Sequence, residues 1–146
     1  MSEELTGLRV RDIMTPDPIT VTPDTPVTDV ARIMMDNGIG SVIVVDKDGN
    51  PIGIITEQDL IARVLAVKRH PAEVRAKDVM SSPLIMVDPD MPLKDAAKIM
   101  ADKGIGHLPV MQGSKLIGIL AEHDIVRLAP ELIELLYVGS GSARGF

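Results

Sequence analysis

The spacing of apolar residues changes period along this chain, and each change predicts an element. Ile19-Thr20-Val21 reads as a short strand, closed by the turn-forming run Thr22-Pro23-Asp24-Thr25-Pro26. Val27, Val30, Ala31 and Met34 then fall at helical spacing and give one apolar stripe. Thr25 is the predicted N-cap, Pro26 the first helical residue and Gly38 the stop. Val42–Val45 is rich in β-branched residues, Asp46–Pro51 carries turn chemistry, and Ile52–Ile55 is apolar again, so the two runs are expected to pair as a hairpin. A second helix is predicted from near Glu57, with Leu60, Ile61, Val64 and Leu65 facing inward. The order is β-α-β-β-α.

That order is written twice. Asp12-Ile13-Met14 recurs as Asp78-Val79-Met80, an offset of 66 that also pairs Ile19 with Ile85, Val21 with Val87 and Gly38-Ile39-Gly40 with Gly104-Ile105-Gly106. One residue is lost in the turn, so Ile52-Gly53-Ile54 matches Ile117-Gly118-Ile119 at an offset of 65, with Glu57 and Asp59 on Glu122 and Asp124. In the second copy Leu93, Ala96, Ala97 and Met100 supply the first helix stripe. The predicted organisation is a first motif over 8–66, a linker over 67–74, a second motif over 75–130, and a remainder over 131–146. That remainder holds a short helix near Glu131–Tyr137 and a Gly/Ser-rich tail expected to be flexible. Lys68, Arg69, His70, Arg75 and Lys77 around the linker read as charges facing water. The predicted class is α+β.

Composition narrows the function. Hydrophobic residues make up 45% and charged residues 25% of 146, the balance of a globular protein. Tyr137 and Phe146 are the aromatic residues, so the core is expected to be aliphatic, with help from 9 methionines. The absence of cysteine excludes disulfides, a thiol nucleophile and thiolate metal sites. A net charge of −6 argues against general nucleic-acid or anionic-membrane binding. No apolar run reaches the length of a membrane span, and the opening residues lack the apolar stretch of a signal peptide. A cytoplasmic protein with no membrane insertion is expected. Gly-rich phosphate loops and His-Glu-x-x-His runs are missing, so the expectation is a binding protein with no resident cofactor or metal, and not an enzyme.

Asp12-Ile13-Met14-Thr15, the Gly38-Ile39-Gly40 helix exit, the hairpin with Gly53-Ile54-Ile55 and Thr56-Glu57-Gln58-Asp59 occur in the order that marks cystathionine-β-synthase (CBS) domains. The second copy repeats it and adds His107-Leu108-Pro109-Val110. The chain resembles the tandem form of that family, the Bateman module, over nearly its whole length. The resemblance implies two motifs packed sheet-to-sheet with pseudo-two-fold symmetry, and usually a disc-like homodimer. It implies a regulatory module in stand-alone form, signalling to an enzyme or transporter whose identity the residues do not reveal. The implied ligands are adenosine-containing, with AMP, ADP or ATP expected first and S-adenosylmethionine or NADH as alternatives. A ligand-free dimerisation scaffold is the competing reading.

Thr56 and Asp59 have the spacing of a capping box, which needs no ligand. In copy two the cap residue becomes Ala121 while Asp124 stays, so the carboxylate has another candidate task. By resemblance it accepts both ribose hydroxyls, a geometry that suits a carboxylate, while the Thr56 hydroxyl helps hold ribose or phosphate. The resemblance further assigns Ser81, Ile85, Met86, Ile105, Gly106 and His107 to the ligand on Asp59, and Thr15, Ile19, Thr20, Ile39, Gly40 and Ser41 to the ligand on Asp124. For the Ile residues alone, ordinary strand packing is the simpler account. His107 and His123 are open between phosphate contact and plain surface polarity, with metal binding weakest. Since Ser41 and Ala121 stand where His107 and Thr56 stand in the other copy, the Asp59 cleft is expected to fill first.

Overall fold

In the computed structural model, which describes residues 7–82 and 84–138, the first copy gives α1 (Val10–Ile13), β1 (Thr15–Pro16), β2 (Thr20–Val21), α2 (Val27–Asn37), β3 (Ser41–Val45), β4 (Pro51–Thr56) and α3 (Glu57–Leu60). The last runs on as a π-helix, Ile61–Leu65, and a 3-10 turn, Pro71–Glu73, follows. The second copy gives α4 (Ala76–Val79), α5 (Leu93–Lys103), β5 (His107–Gln112), β6 (Lys115–Ala121) and α6 (Glu122–Leu128). A 3-10 turn, Pro130–Leu132, leads into α7 (Ile133–Val138), the expected short helix. The tail expected over 139–146 lies outside the described residues.

Two small sheets form, in the orders β2-β3-β4 and β1-β6-β5, so the fold is α+β. Both hairpins are antiparallel, with Ser41 opposite Thr56 and His107 opposite Ala121. The turn at Asp46 explains the first: its Oδ1 accepts the Asp48 and Asn50 amides, each at 2.9 Å. β2 lies parallel to β3, and the single bridge Val87–Val110 repeats that pairing on β5. β1 lies antiparallel to β6, and the bridge Ile54–Ser81 repeats it on β4.

The chain divides into a contiguous unit, Pro18–Leu84, and a split unit, in which the stretch up to Asp17 joins the chain from Ile85 onward. Each unit is thus the body of one copy with the leading residues of the other. In the contiguous unit the Val27 amide bonds Val74 O (2.9 Å), and the Ala76 and Lys77 amides bond Thr25 O (2.8 Å) and Pro23 O (2.9 Å). In the split unit the same ladder runs from Leu93 to Leu8 O, from Val10 to Met91 O and from Arg11 to Pro89 O, each at 2.9 Å. Arg75 Nη1 donates to Asp24 O at 2.6 Å while Lys77 Nζ meets Asp24 Oδ1 at 3.1 Å. Arg9 Nη1 donates likewise to Asp90 O at 2.6 Å, and Arg11 Nη2 meets Asp90 Oδ1 at 2.8 Å. Arg75 and Lys77 are therefore not simply solvated charges, as the linker reading had them. The turn carbonyls and carboxylates of the body they dock on leave acceptors at the right places.

Each unit has its own aliphatic core. Val21, Val27, Val30, Met34, Val42, Val44 and Ile55 pack with Val74, Ala76 and Val79 in the contiguous unit. Leu93, Ala97, Met100, Leu108, Val110, Leu120 and Ile125 pack with Val10, Leu132 and Leu136 in the split unit. Both long helices end on a left-handed glycine, Gly38 at φ 61° and Gly104 at φ 66°, a conformation that costs a residue with a Cβ more. Three local expectations are corrected. Pro26, not Thr25, is the N-cap of α2, because the Thr25 hydroxyl already accepts the Thr22 amide at 3.1 Å. Ile61 and Leu65 are exposed: the core takes the row Leu60/Val64, and 61/65 lies one step around the helix. Ala31 is exposed although its counterpart Ala97 is fully buried.

Candidate functional site

In the contiguous unit β4 delivers Thr56 to the start of α3. The Asp59 amide donates to Thr56 Oγ1 at 3.2 Å, and Asp59 Oδ2 accepts the Thr56 amide at 2.9 Å and its hydroxyl at 3.1 Å. The capping box is therefore real and occupies one carboxylate oxygen. The other, Oδ1, has longer neighbours: the Ser81 hydroxyl donates to it at 3.4 Å, and Arg63 Nε lies 3.7 Å away. The side chain is 13% exposed, reachable and partly desolvated. Ser41, buried, stands opposite Thr56 in the sheet, and Gly40 O accepts the Glu57 amide at 3.1 Å. A carboxylate, two serines, a threonine and a guanidinium thus gather around one strand-to-helix junction. With one oxygen only loosely occupied, Asp59 can accept hydrogen bonds from a small polyol.

The split unit repeats the junction with different side chains. Ala121 is the N-cap of α6 and provides no side-chain cap bond. Asp124 is 15% exposed, with Arg127 Nη2 3.7 Å from its Oδ1. Gly106 O accepts the Glu122 amide at 2.8 Å, and a Cβ on Gly106 would lie 3.2 Å from Glu122 Oε2, so the strand approach is tight. His107 sits opposite Ala121 and His123 is exposed on α6.

Grouped by unit, Asp59 keeps company with Thr56, Ser81, Ile19, Thr20, Ile39, Gly40 and Ser41. Asp124 keeps company with Thr15, Ile85, Met86, Ile105, Gly106, His107 and His123. Ser81 lies in the unit of Asp59 and Thr15 in that of Asp124, and His107 stands opposite Ala121 in the sheet. Ile85 and Met86 are exposed, Thr15 and Thr20 likewise, and Ile19, Ile39 and Ile105 pack partly on the cores. Arg63 and Arg127 were not singled out from the sequence, although spacings of four and three residues from Asp59 and Asp124 carry that signal. Among the described residues no cluster of His, Cys, Asp or Glu could hold a metal ion, and no helix is long and apolar enough to cross a membrane.

The family model for the CBS domain matches twice, over residues 10–66 and 76–131. The protein MK0525 of Methanopyrus kandleri is 41% identical over 128 residues, covering 87% of this chain and 65% of its own length. The chain spans 65%, 34% and 65% of the first curated relatives it matches. Among solved structures, the CBS domain pair of protein MJ0100 in complex with 5'-methylthioadenosine and S-adenosyl-L-methionine superposes with a TM-score of 0.77 at 29% identity, covering 85% of this chain and 97% of that one. A hexameric CBS-CP12 protein from bloom-forming cyanobacteria gives 0.79 at 29% identity, covering 84% and 72%.

Proposed function

The chain belongs to the CBS domain family, and from that premise we propose that it senses an adenosine-containing ligand, with AMP, ADP or ATP preferred, and passes its state to a partner protein. CBS pairs are regulatory ligand-binding modules, and the MJ0100 pair was solved with two adenosine compounds. The observation that carries the proposal for this chain is the divided state of Asp59. Its Oδ2 serves the helix cap, while its Oδ1 has only long neighbours at 3.4 and 3.7 Å, room for the vicinal hydroxyls of a ribose. S-Adenosylmethionine presents the same diol and is the second reading, favoured by the MJ0100 complex. The regulated partner is an enzyme or transporter, and the chain itself carries no catalysis.

The test is calorimetry with AMP, ATP, S-adenosylmethionine and NADH on the wild type and Asp59→Ala. Hydrogen bonds to a charged acceptor contribute about 1.5–3 kcal/mol each. At tenfold per 1.4 kcal/mol, affinity is expected to drop on the order of 10- to 100-fold in the variant. If Asp59 serves the cap alone, the variant loses stability but keeps the wild-type dissociation constant. If none of the four compounds binds the wild type, the ligand-free scaffold stands instead.

A further inference from the structure

Arg63 lies in the middle of the π-helix that continues α3, four residues past Asp59. Its Nη1 donates to two consecutive carbonyls, Val79 O at 3.1 Å and Met80 O at 3.0 Å, while its Nε faces Asp59 Oδ1 at 3.7 Å. The next residue, Ser81, turns its hydroxyl to the same oxygen and is tied to β4 by paired backbone bonds with Ile54, at 2.9 and 3.1 Å. Residues 79–81 lie shortly before Leu84, the last residue of the contiguous unit, and lead the chain toward its exit. One guanidinium therefore meets both the carboxylate and the exit backbone. Its side chain is 46% exposed, so the Coulomb gain is small. What it contributes is direction: a planar guanidinium keeps the two carbonyls bonded by Nη1 and the carboxylate beside Nε in a fixed mutual arrangement. A widened helical turn at such a point is a recurrent feature of functional sites.

We propose that Arg63 is a positioning residue that couples occupancy of Asp59 to the order of the exit segment 79–81. The inference rests on the reading of Asp59 as the ligand carboxylate. A diol donating into Oδ1 replaces the long Ser81 bond, draws the carboxylate to one position, and through Arg63 steadies the carbonyls of Val79 and Met80. Arg127 meets Asp124 at a similar distance, but among the described residues no such pair of carbonyl bonds accompanies it. The device belongs to one copy.

The experiment is amide hydrogen exchange on the full chain, with and without saturating AMP, for the wild type, Arg63→Gln and Arg63→Lys. Without ligand, Arg63→Gln is expected to speed exchange of the Ser81 amide about tenfold, since local opening free energies respond to the loss of a few bonds. The Leu120 amide in the other unit serves as the control and is expected to stay unchanged. With AMP the wild type gains protection at Ser81. At AMP concentrations saturating for each variant, Arg63→Gln gains none, and Arg63→Lys keeps the charge beside Asp59 but restores at most part of that gain. Unchanged Ser81 exchange in Arg63→Gln, or equal acceleration at Leu120, overturns the inference. The failures separate: a wild type that binds no AMP, with fast Ser81 exchange in Arg63→Gln, removes the ligand coupling and the functional reading while leaving the clamp. Normal AMP binding with unaltered Ser81 exchange removes the clamp and leaves the functional reading.

Discussion

Gly53 and Gly118 stand at matching places in β4 and β6, each facing the methionine that closes a leading motif. A Cβ on Gly118 would lie 2.6 Å from Met14 Sδ and 3.0 Å from the Thr15 carbonyl oxygen, and one on Gly53 would run into the Met80 side chain. The sulfur can move, but the Thr15 backbone is pinned by its pairing to β6. Gly118→Ala is therefore expected to cost about 1–3 kcal/mol, the usual penalty of overpacking. A denaturant titration checks this, and an unshifted midpoint would contradict the contact. The pairing of Asp-x-Met motifs with Ile-Gly-Ile motifs was visible as repetition, but its cause was not, since Met14 and Gly118 lie in different copies. Around Asp59 the Thr56 bonds were legible from a spacing of three residues, whereas Ser81 is 22 residues away and meets it only through folding.

At the scale of elements, hairpins and helix exits were read correctly because their determinants are local. Asp46 shows this: the Asn50 amide, then those around it, stabilise its charged form and hold the carboxyl below its ordinary range. Helix surfaces were harder. α2 and α5 have the same stripe, yet Ala31 and Met35 are exposed while Ala97 and Ala101 are buried, because the helix α7 packs on α5 whereas, among the described residues, α2 meets the three-residue turn Pro71–Glu73. Met35 is 82% exposed, and Ile61, Leu65 and Val67 on the contiguous unit are exposed as well. Apolar surface left this open favours covering by a second copy. A homodimer at micromolar concentration is expected, and Met35→Glu is expected to shift it toward the single chain. Light scattering decides this; a wild-type mass near that of one chain would contradict the dimer, and a mass of six chains would align it with the CBS-CP12 relative.

For the whole molecule, the two carboxylates have unlike company. Asp59 has Thr56 and Ser81, while Asp124 shares its unit with His107 and His123. Ligand is expected at Asp59 first, since Ala121 cannot supply the Thr56 hydroxyl. A phosphate-bearing ligand is expected to lose affinity in His107→Ala, because an imidazole N–H can donate to a phosphate oxygen. Adenosine lacks the phosphate and is expected to show little such loss. Calorimetry of AMP and adenosine on the wild type, Asp59→Ala and His107→Ala measures it. AMP affinity equal in the wild type and His107→Ala, or loss of AMP binding in Asp124→Ala with Asp59 intact, contradicts the assignment.

The sequence by itself determined the duplication, the order of elements, both hairpins, the helix exits and the Thr56–Asp59 cap, all set by patterns a few residues long. Which body each leading segment docks on was decided only by the tertiary structure. Arg9-Val10 and Arg75-Ala76 are followed alike by a capping Asp, and the Asp24 and Asp90 turns offer them the same carbonyl and carboxylate. A segment that fits two equivalent places carries no local mark of its choice. The bonds that settle it span 81 residues for Arg9 and 51 for Arg75. The same reason placed Ser81 on Asp59, and near-identical copies are the case in which local chemistry cannot tell.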